Sequence, residues 1–381
     1  MTITGIPRIP FLDLSRQHKE IAAPLAVAVD KVISQGRFIL AEEVSEFEQE
    51  WATYCGTSAC AGVASGTDAI SLALSACGKI VAGRGDEVIT SALSAGYTAL
   101  AILQAGAVPV FADVDPETLL LDPSSVESRV TSQTRAIVPV HLYGRVCEMQ
   151  PLADIAVRYG LAIVEDAAQA HGAWKPQRAV FELGSIAAFS FYPTKNLGAC
   201  GDGGAVVSND TDLISRVKLL REGGHENAYW QSVTGRNSRL DELQAAILRV
   251  KLPYLAEWNE RRRKLSDIYD LTLASSNDVH PVRRGRRSAH HLYVVVSTCR
   301  DDIRRYLRNE GIETVVHYPF SLDQCSMFGR QTGENKHAER ASSSVLSLPM
   351  NSHTTVSEVA AVCDTILRFR KQARSASLQC I

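Results

Sequence analysis

The sequence predicts an α/β protein: a large domain on a mostly parallel sheet, followed by a small C-terminal α/β domain. Three observations carry this. Between about 57 and 210, short apolar runs at 87–90, 108–114, 136–142, 161–165, 187–191 and 205–207 alternate with helical stretches. Such alternation places helices on both faces of a parallel sheet. The chain has 381 residues, enough for about two domains. After 253 the pattern restarts on a smaller scale, with apolar runs at 292–296 and 313–317 around a helical stretch at 302–309. The expected division is therefore 1–253 and 254–381.

Taken in order, residues 17–54 read as two amphipathic helices separated at Gly36. Leu25, Val29, Val32 and Ile33 share one face; Val44, Phe47, Trp51 and Tyr54 share another. Both stripes predict packing on the core or on a partner. SGTDA (65–69) opens a segment with Ile70, Ala73, Leu74 and Cys77 at helical spacing. VHLYG (140–144) ends a strand, and its His141 and Tyr143 read as structural. Leu213, Val217 and Leu220, then Leu240, Leu243, Ile247 and Val250, mark helices, with Pro253 at the change of element. ERRRK (260–264) reads as a solvated helix face. VRRGRR (282–287) reads as a solvated loop or as a cationic guide for an anionic substrate. A helix near 356–370 completes the chain, and the last ten residues are expected to fray.

Composition excludes several classes. A formal net charge of -2 with 22% charged residues leaves no dominant nucleic-acid footprint. Nine cysteines are scattered without a CxxC pair, which argues against structural zinc and a disulfide framework and for a reduced compartment. No apolar run approaches membrane-spanning length, and the N-terminus lacks a basic region followed by an apolar core. The expectation is a cytoplasmic protein without metal, membrane or nucleic-acid partners.

Chemistry concentrates on Lys195 in SFYPTKNLG (190–198), between an apolar run at 186–189 and a second at 205–207 that follows GDGG (201–204). A lysine between two buried strands sits on a turn beside the core. Burying an ammonium costs its hydration, so such lysines are rare unless paired or used. Desolvation leaves an amine suited to Schiff-base chemistry. This window alone favours an ordinary surface loop; two others change the reading. LAIVEDAAQAHGA (161–173) is an apolar strand ending in Glu165 and Asp166, at the end where α/β sheets hold ligands. SGTDA is a glycine-bearing turn into a helix, which suits a phosphate. A phosphate cradle, a carboxylate for a ring nitrogen and a lysine for an aldehyde are the grips that pyridoxal 5'-phosphate needs. NAD is the rival cofactor, but no GxGxxG opens a helix after the first strand, and GDGG precedes a strand.

In these residues the chain resembles the DegT/DnrJ/EryC1/StrS aminotransferases, the sugar-aminotransferase branch of fold-type I pyridoxal phosphate enzymes. The resemblance runs from FLDLSRQ (11–17) to VLSLPM (345–350). It is most specific in VEDAAQAHGA (164–173), FSFYPTKNLG (189–198), GDGGAVV (201–207) and GRNSRLDELQAA (235–246), supported by HLYVV (291–295) and GIETVVHYP (311–319). It implies an aspartate aminotransferase-like fold with Lys195 as the Schiff-base lysine, Asp166 on the pyridinium nitrogen and Gln169 at the ring. Ser190, Gly66 and Thr67 would hold the phosphate. Asn237 would reach in from the partner subunit of a homodimer with shared sites; read by itself, Asn237 equally caps the helix that follows. Many members stack an aromatic residue on the ring near the position of Ala95. Here Ala95 and Gly96 are small, so Tyr97 stacks from a shifted register, or the ring face is covered differently, or Tyr97 belongs to the core of its helix. His317 and Tyr318 fall where members line the substrate entrance, whereas His171 reads as structural.

The activity implied is transfer of an amino group from glutamate to a nucleotide-linked keto sugar. FLDL, FSFYPTKNLG and GRNSRLDE are most similar to members that aminate C3 of dTDP-3-keto-6-deoxyhexoses. Amination at C4, or of scyllo-inosose, is the alternative. Sugar 3-dehydratases of this fold carry histidine in place of the lysine, and Lys195 argues against them. A non-catalytic regulator is expected to lose some of Lys195, Asp166, Ser190 and Asn237, and all four are present.

Overall fold

The structure, a computed structural model, describes residues 9–173, 186–227, 230–283, 288–329 and 335–378. Seven strands form the main sheet: β1 (Ala59–Val63), β2 (Glu87–Ser91), β3 (Val108–Ala112), β4 (Thr134–Val138), β5 (Ala162–Asp166), β6 (Ile186–Ser190) and β7 (Gly204–Ser208). Their order is β1-β7-β6-β5-β4-β2-β3. β7 runs against both neighbours and every other pair is parallel. The carboxyl ends of β5 and β6, where Asp166 and Ser190 lie, therefore open on the same edge.

Five of the expected runs match β2, β3, β5, β6 and β7 within a few residues. The run at 136–142 is shorter than expected, because Pro139 follows β4 and a turn at Leu142–Gly144 replaces its end. β1 has no counterpart among the expected runs. Its residues, Ala-Cys-Ala-Gly-Val, are too small to mark a strand by composition; pairing along β7 makes them one.

A second, antiparallel sheet joins His280–Pro281, Tyr293–Val296 and Val345–Leu348. The segment 313–317 is not a strand: among the described residues its backbone pairs with this sheet only at an isolated Val315–Ser347 bridge. Helices Leu255–Leu273, Arg300–Asn309 and Val356–Leu378 cover the sheet, with Tyr269, Val295, Ile303, Leu346 and Val362 in one core. Ile9 joins that core and bridges Ile312, so the amino-terminal segment packs on the C-terminal unit. The last helix runs Val356–Leu378, and the final residues 379–381 of the stretch expected to fray lie outside the described residues. Of the basic loop, residues 284–287 lie outside the described residues.

The expected helices at 17–54 are three: Leu14–Glu20, Ala22–Gln35 and Glu42–Cys55. The third buries Val44, Phe47 and Trp51. Trp51 meets Phe189 and Phe191 edge-on, with ring centroids 5.1 and 5.4 Å away. The residues leading to Lys195 thus rest on an aromatic wedge. Helix Ala22–Gln35 differs: of its apolar stripe only Val32 is buried, while Val27 is 72% exposed and Ile33 56%. In helix Glu242–Lys251, Ala245, Ala246, Ile247 and Leu248 face inward, whereas Leu243 and Val250 are half-buried.

Helix Glu42–Cys55 has no side-chain cap of its own. Its first turn is capped from 200 positions away by the buried carboxylate of Glu242, which accepts from Ala41 N–H (2.7 Å), Glu43 N–H (2.8 Å) and Val44 N–H (3.0 Å). Unpaired amides and the positive end of the helix dipole both favour an anion here. In Glu242→Gln, one of these amides faces an NH2 group instead of an oxygen. The expected loss is about 1–3 kcal/mol, read as a lower denaturant midpoint at unchanged slope. A midpoint equal to wild type refutes the cap.

Candidate active site

Register explains why three distant loops meet. Val63 of β1 pairs with Gly204 of β7, and Gly204 pairs with Ser190 of β6. The turn after β1 is thereby brought to the end of β6. Helix Gly66–Ala76 starts there, with Ser65 as its cap accepting from Asp68 N–H at 3.1 Å. A Cβ on Gly66 would lie 2.5 Å from Ser190 Cβ, so only glycine permits this approach. The amides of Gly66 and Thr67, at the first two helical positions, have no acceptor within the helix. Gly66 lies against Ser190, whose Oγ accepts from Tyr192 N–H (3.3 Å) and keeps its own proton to donate.

Asp166 closes β5 and is buried. Thr98 Oγ1 donates to its Oδ2 at 2.8 Å and Ala168 N–H to its Oδ1 at 3.1 Å. The preceding Glu165 points to the other face, as alternation along a strand demands. There its Oε2 lies 2.8 Å from His141 Nε2, while Cys147 N–H donates to His141 Nδ1 at 3.3 Å. The second interaction puts the imidazole proton on Nε2.

Lys195 is half-buried on the turn after β6. Burial pulls its ammonium down to about 8, and the charge of Asp166 opposes that pull. The turn is tight: a Cβ on Gly198 would lie 2.3 Å from Pro193 O. It is also pinned. Asn196, buried, donates to Asn259 Oδ1 and to Ala289 O, each at 2.7 Å. With both amide protons used, its Oδ1 accepts from His291 Nδ1 at 2.9 Å, fixing that imidazole's tautomer.

Three imidazoles surround the amine electrostatically. His171, packed among Trp51, Phe189 and Phe191, is pushed down to about 3 by burial and then by Lys195. His317 falls to about 4 for the same two reasons. His291 is held well below the usual range by burial, with Lys195 and Arg262 adding to it. All three are neutral at neutral pH and place no positive charge beside the lysine.

The remaining expected residues fall as follows. Gln169 is buried and links a backbone amide to a side chain: its Oε1 accepts from Tyr143 N–H at 2.7 Å and its Nε2 donates to Tyr318 OH at 3.2 Å. Burial lifts the Tyr318 phenol to about 12, with Asp166 adding to the shift. His317 Nδ1 lies 2.9 Å from Ser347 Oγ, and its carbonyl accepts from Tyr143 OH. Tyr97 is 67% exposed in the first turn of helix Gly96–Gln104, which rules out the core reading. Asn237 is exposed and bridges Glu222 through its backbone. It caps nothing, because the following helix takes Asp241 at its cap position. Within one chain, Lys195, Asp166, Gln169, His317 and Tyr318 form one cluster and Asn237 is not part of it.

The sequence does not mark Thr98, Asn196 or His291 as site residues, and Arg262, in the ERRRK run expected on a solvated face, is instead buried and donates to His291 O at 3.2 Å. The signal for Thr98 is a lone hydroxyl inside the apolar GYTALAI. Asn196 follows the lysine directly. For His291 and Arg262 no local signal exists, since they arrive from the C-terminal unit. Tyr143, which the sequence marks as structural, holds Gln169 through its backbone N–H and the His317 carbonyl through its hydroxyl.

The residues present fit pyridoxal 5'-phosphate: an amine of lowered basicity, a buried carboxylate, and free amides with a hydroxyl at a helix start. Comparison with known proteins agrees. A transaminase for dTDP-3-amino-3,4,6-trideoxy-alpha-D-glucose from Streptomyces venezuelae is 40% identical over 97% of this chain and 98% of its own length. A pleiotropic regulatory protein from Geobacillus stearothermophilus is 43% identical over 90% and 93%. The crystal structure of S. venezuelae DesV in complex with a ketimine intermediate superposes with a TM-score of 0.90 at 41% identity, covering 94% of this chain and 98% of that one. The expected fold class therefore holds. With residues 19–367 matching its profile, the chain belongs to the DegT/DnrJ/EryC1/StrS aminotransferase family.

Proposed function

We propose that this aminotransferase moves an amino group from glutamate to a nucleotide-linked keto sugar, at C3 of a dTDP-3-keto-6-deoxyhexose. The observation that carries the reading is Lys195, a half-buried amine near neutrality that senses Asp166 and is ringed by neutral imidazoles. The substrate class rests on the names of the relatives, including a transaminase for dTDP-3-amino-3,6-dideoxy-alpha-D-galactopyranose from Aneurinibacillus thermoaerophilus at 40% identity.

Pyridoxal phosphate supplies an aldehyde and an electron-withdrawing ring. Lys195 would hold that aldehyde, and its Nζ, an amine near 8, can hold or release a proton at neutral pH. Asp166, oriented by Thr98 and Ala168, keeps the ring nitrogen protonated. Gly66, Thr67 and Ser190 hold the phosphate. Gln169 would contact the ring, and Tyr97, exposed in the first turn of its helix, would stack on it. His317 and Tyr318 contact the sugar at the mouth.

Asn237 completes the site from a second copy of the chain. Support comes from the exposed Val27, Ile33, Phe38 and Ile39, an apolar face too large to leave in water. It adjoins the Asn237 loop through the Ile39–Asp241 bridge. A regulatory role without turnover is the second reading, favoured by the name of the Geobacillus relative.

Three kinds of measurement test this, the first being turnover. Incubation with glutamate and a panel of nucleotide keto sugars, with products identified by mass and NMR, is expected to yield a 3-amino sugar. Asp166→Asn should bind the cofactor yet turn over at least tenfold more slowly, since a charge-assisted bond is worth about 1.5–3 kcal/mol. Cofactor binding without any glutamate reaction favours the regulatory reading.

The second measurement is the rate of cofactor capture by apoenzyme against pH. Attack needs the neutral amine, so the rate should rise to a plateau with a midpoint at about 8. An ordinary lysine gives about 10.4. Because the charge of Asp166 raises this amine, Asp166→Asn should move the midpoint down; an upward move contradicts the geometry.

The third is complementation. A Lys195→Ala chain mixed with an Asn237→Asp chain should regain activity through heterodimers holding one intact shared site. Activity that stays low, or a monomer by sedimentation, ends the shared-site reading.

A further inference from the structure

Away from the cleft, Arg145 is a buried cation with an unpaired terminal nitrogen among the described residues. Arg145 is 3% exposed. One of its terminal nitrogens, Nη1, donates to Arg283 O at 2.9 Å, and the other, Nη2, has no acceptor among the described residues. Its guanidinium carbon stands 5.1 Å from the Tyr143 ring centroid. No carboxylate pairs with it among the described residues; Glu117, nearby in the fold, is taken by Arg283 at 2.6 Å. The adjoining 284–287 segment, Arg-Gly-Arg-Arg, contains no acid. Burial lowers the guanidinium to about 10, so it remains charged at neutral pH. Buried charges are normally paired, because an unpaired one forfeits several kcal/mol of hydration.

Arg145 lines a cavity of about 20 Å³ with Tyr143, Val282, Ser288, His290, Leu292, Tyr293 and Val294. A single water-sized particle needs roughly 10–15 Å³, so the space admits one small occupant and no organic substrate. Its walls are largely apolar. Besides Arg145, Ser288 can donate: its Oγ accepts from His290 N–H at 3.0 Å and its own proton is free to turn inward. A positive group, a hydroxyl donor and apolar walls in a volume this small select a monovalent inorganic anion.

The structure assigns this cavity as a halide-type anion site, with chloride as the ordinary occupant, ligated by Arg145 Nη2 and Ser288 Oγ. Its place gives it a purpose. Arg145 follows β4 of the large sheet, and Ser288 begins the segment that enters strand Tyr293–Val296 of the small one. The two already form an isolated bridge, and Ala289 N–H donates to Gly144 O at 2.8 Å. An anion here fastens the two units beside Tyr143, whose backbone N–H holds Gln169 and whose hydroxyl holds the His317 carbonyl. The site is separate from the cofactor cradle and does not depend on which sugar the enzyme uses.

The test is thermal unfolding of the holoenzyme in sodium chloride against sodium gluconate at equal ionic strength, up to 0.2 M. Gluconate is too large for the cavity, so ionic strength is matched while the site stays unfilled. Saturating chloride should raise the midpoint by about 2 °C, and Arg145→Met should abolish the difference between the salts. If that variant does not fold, Ser288→Ala, which removes one ligand and keeps the guanidinium, should weaken the chloride response severalfold. Crystals grown in bromide should show an anomalous peak within hydrogen-bonding distance of Arg145 Nη2. Equal midpoints in the two salts, a response that survives both substitutions, or water in place of bromide would overturn the assignment.

Discussion

The site depends on how the turn after β6 is held, and Asn196 holds it. Both of its amide protons and its carbonyl oxygen are engaged, with Asn259, Ala289 and His291. All three partners belong to the C-terminal half of the chain. An amide with every polar group satisfied in a buried place has one low-energy orientation. That orientation is passed to its neighbour Lys195. Asn259 extends the hold by donating to His171 O at 2.7 Å, which ties the strand-end segment after Asp166 to the same helix. The amine and the carboxylate are therefore located by one hydrogen-bonded frame that spans both units.

Electrostatics around the amine follow from the same packing. Bringing the C-terminal unit against the turn desolvates His171, His291 and His317 together. Each loses more by burial than it could regain from a counter-ion, so each stays neutral. Were any one charged, it would repel the ammonium of Lys195 and depress its basicity further. With neutral rings the opposing charge nearest in effect is Asp166, which keeps the amine within reach of both protonation states at neutral pH.

Buried charge elsewhere in the fold is treated differently, and the contrast is informative. Glu48 is satisfied by Arg221 (2.5 Å), Lys218 (2.6 Å) and Gly62 N–H (2.8 Å). Glu242 is satisfied by three helix-start amides. These carboxylates join elements far apart in sequence: helix Glu42–Cys55 to β1 and to helices Thr211–Arg221 and Glu242–Lys251. Arg145 sits at a comparable joint with no carboxylate beside it among the described residues, and its Nη2 has no acceptor there.

The sequence by itself determined the α/β class, the alternation of most strands, the lysine turn, the strand-end carboxylate and the glycine turn into a helix. Those features are local: a run of β-branched residues, a helical stripe or a glycine where a helix starts leaves its mark within a few positions. β1 escaped because Ala, Cys and Gly mark no strand until a neighbour pairs with them. The segment 313–317 misled for the opposite reason, since a strand-like composition found only one bridge. Only the tertiary structure decided that Thr98 orients Asp166, that Asn196 and His291 fix the lysine turn, and that Glu242 caps a helix 200 positions earlier. It also decided that Tyr97 is exposed and that Asn237 stands apart from its own chain's cluster. Hydrogen bonds between elements and the burial that shifts a pKa depend on which surfaces meet. No periodicity along the chain records that.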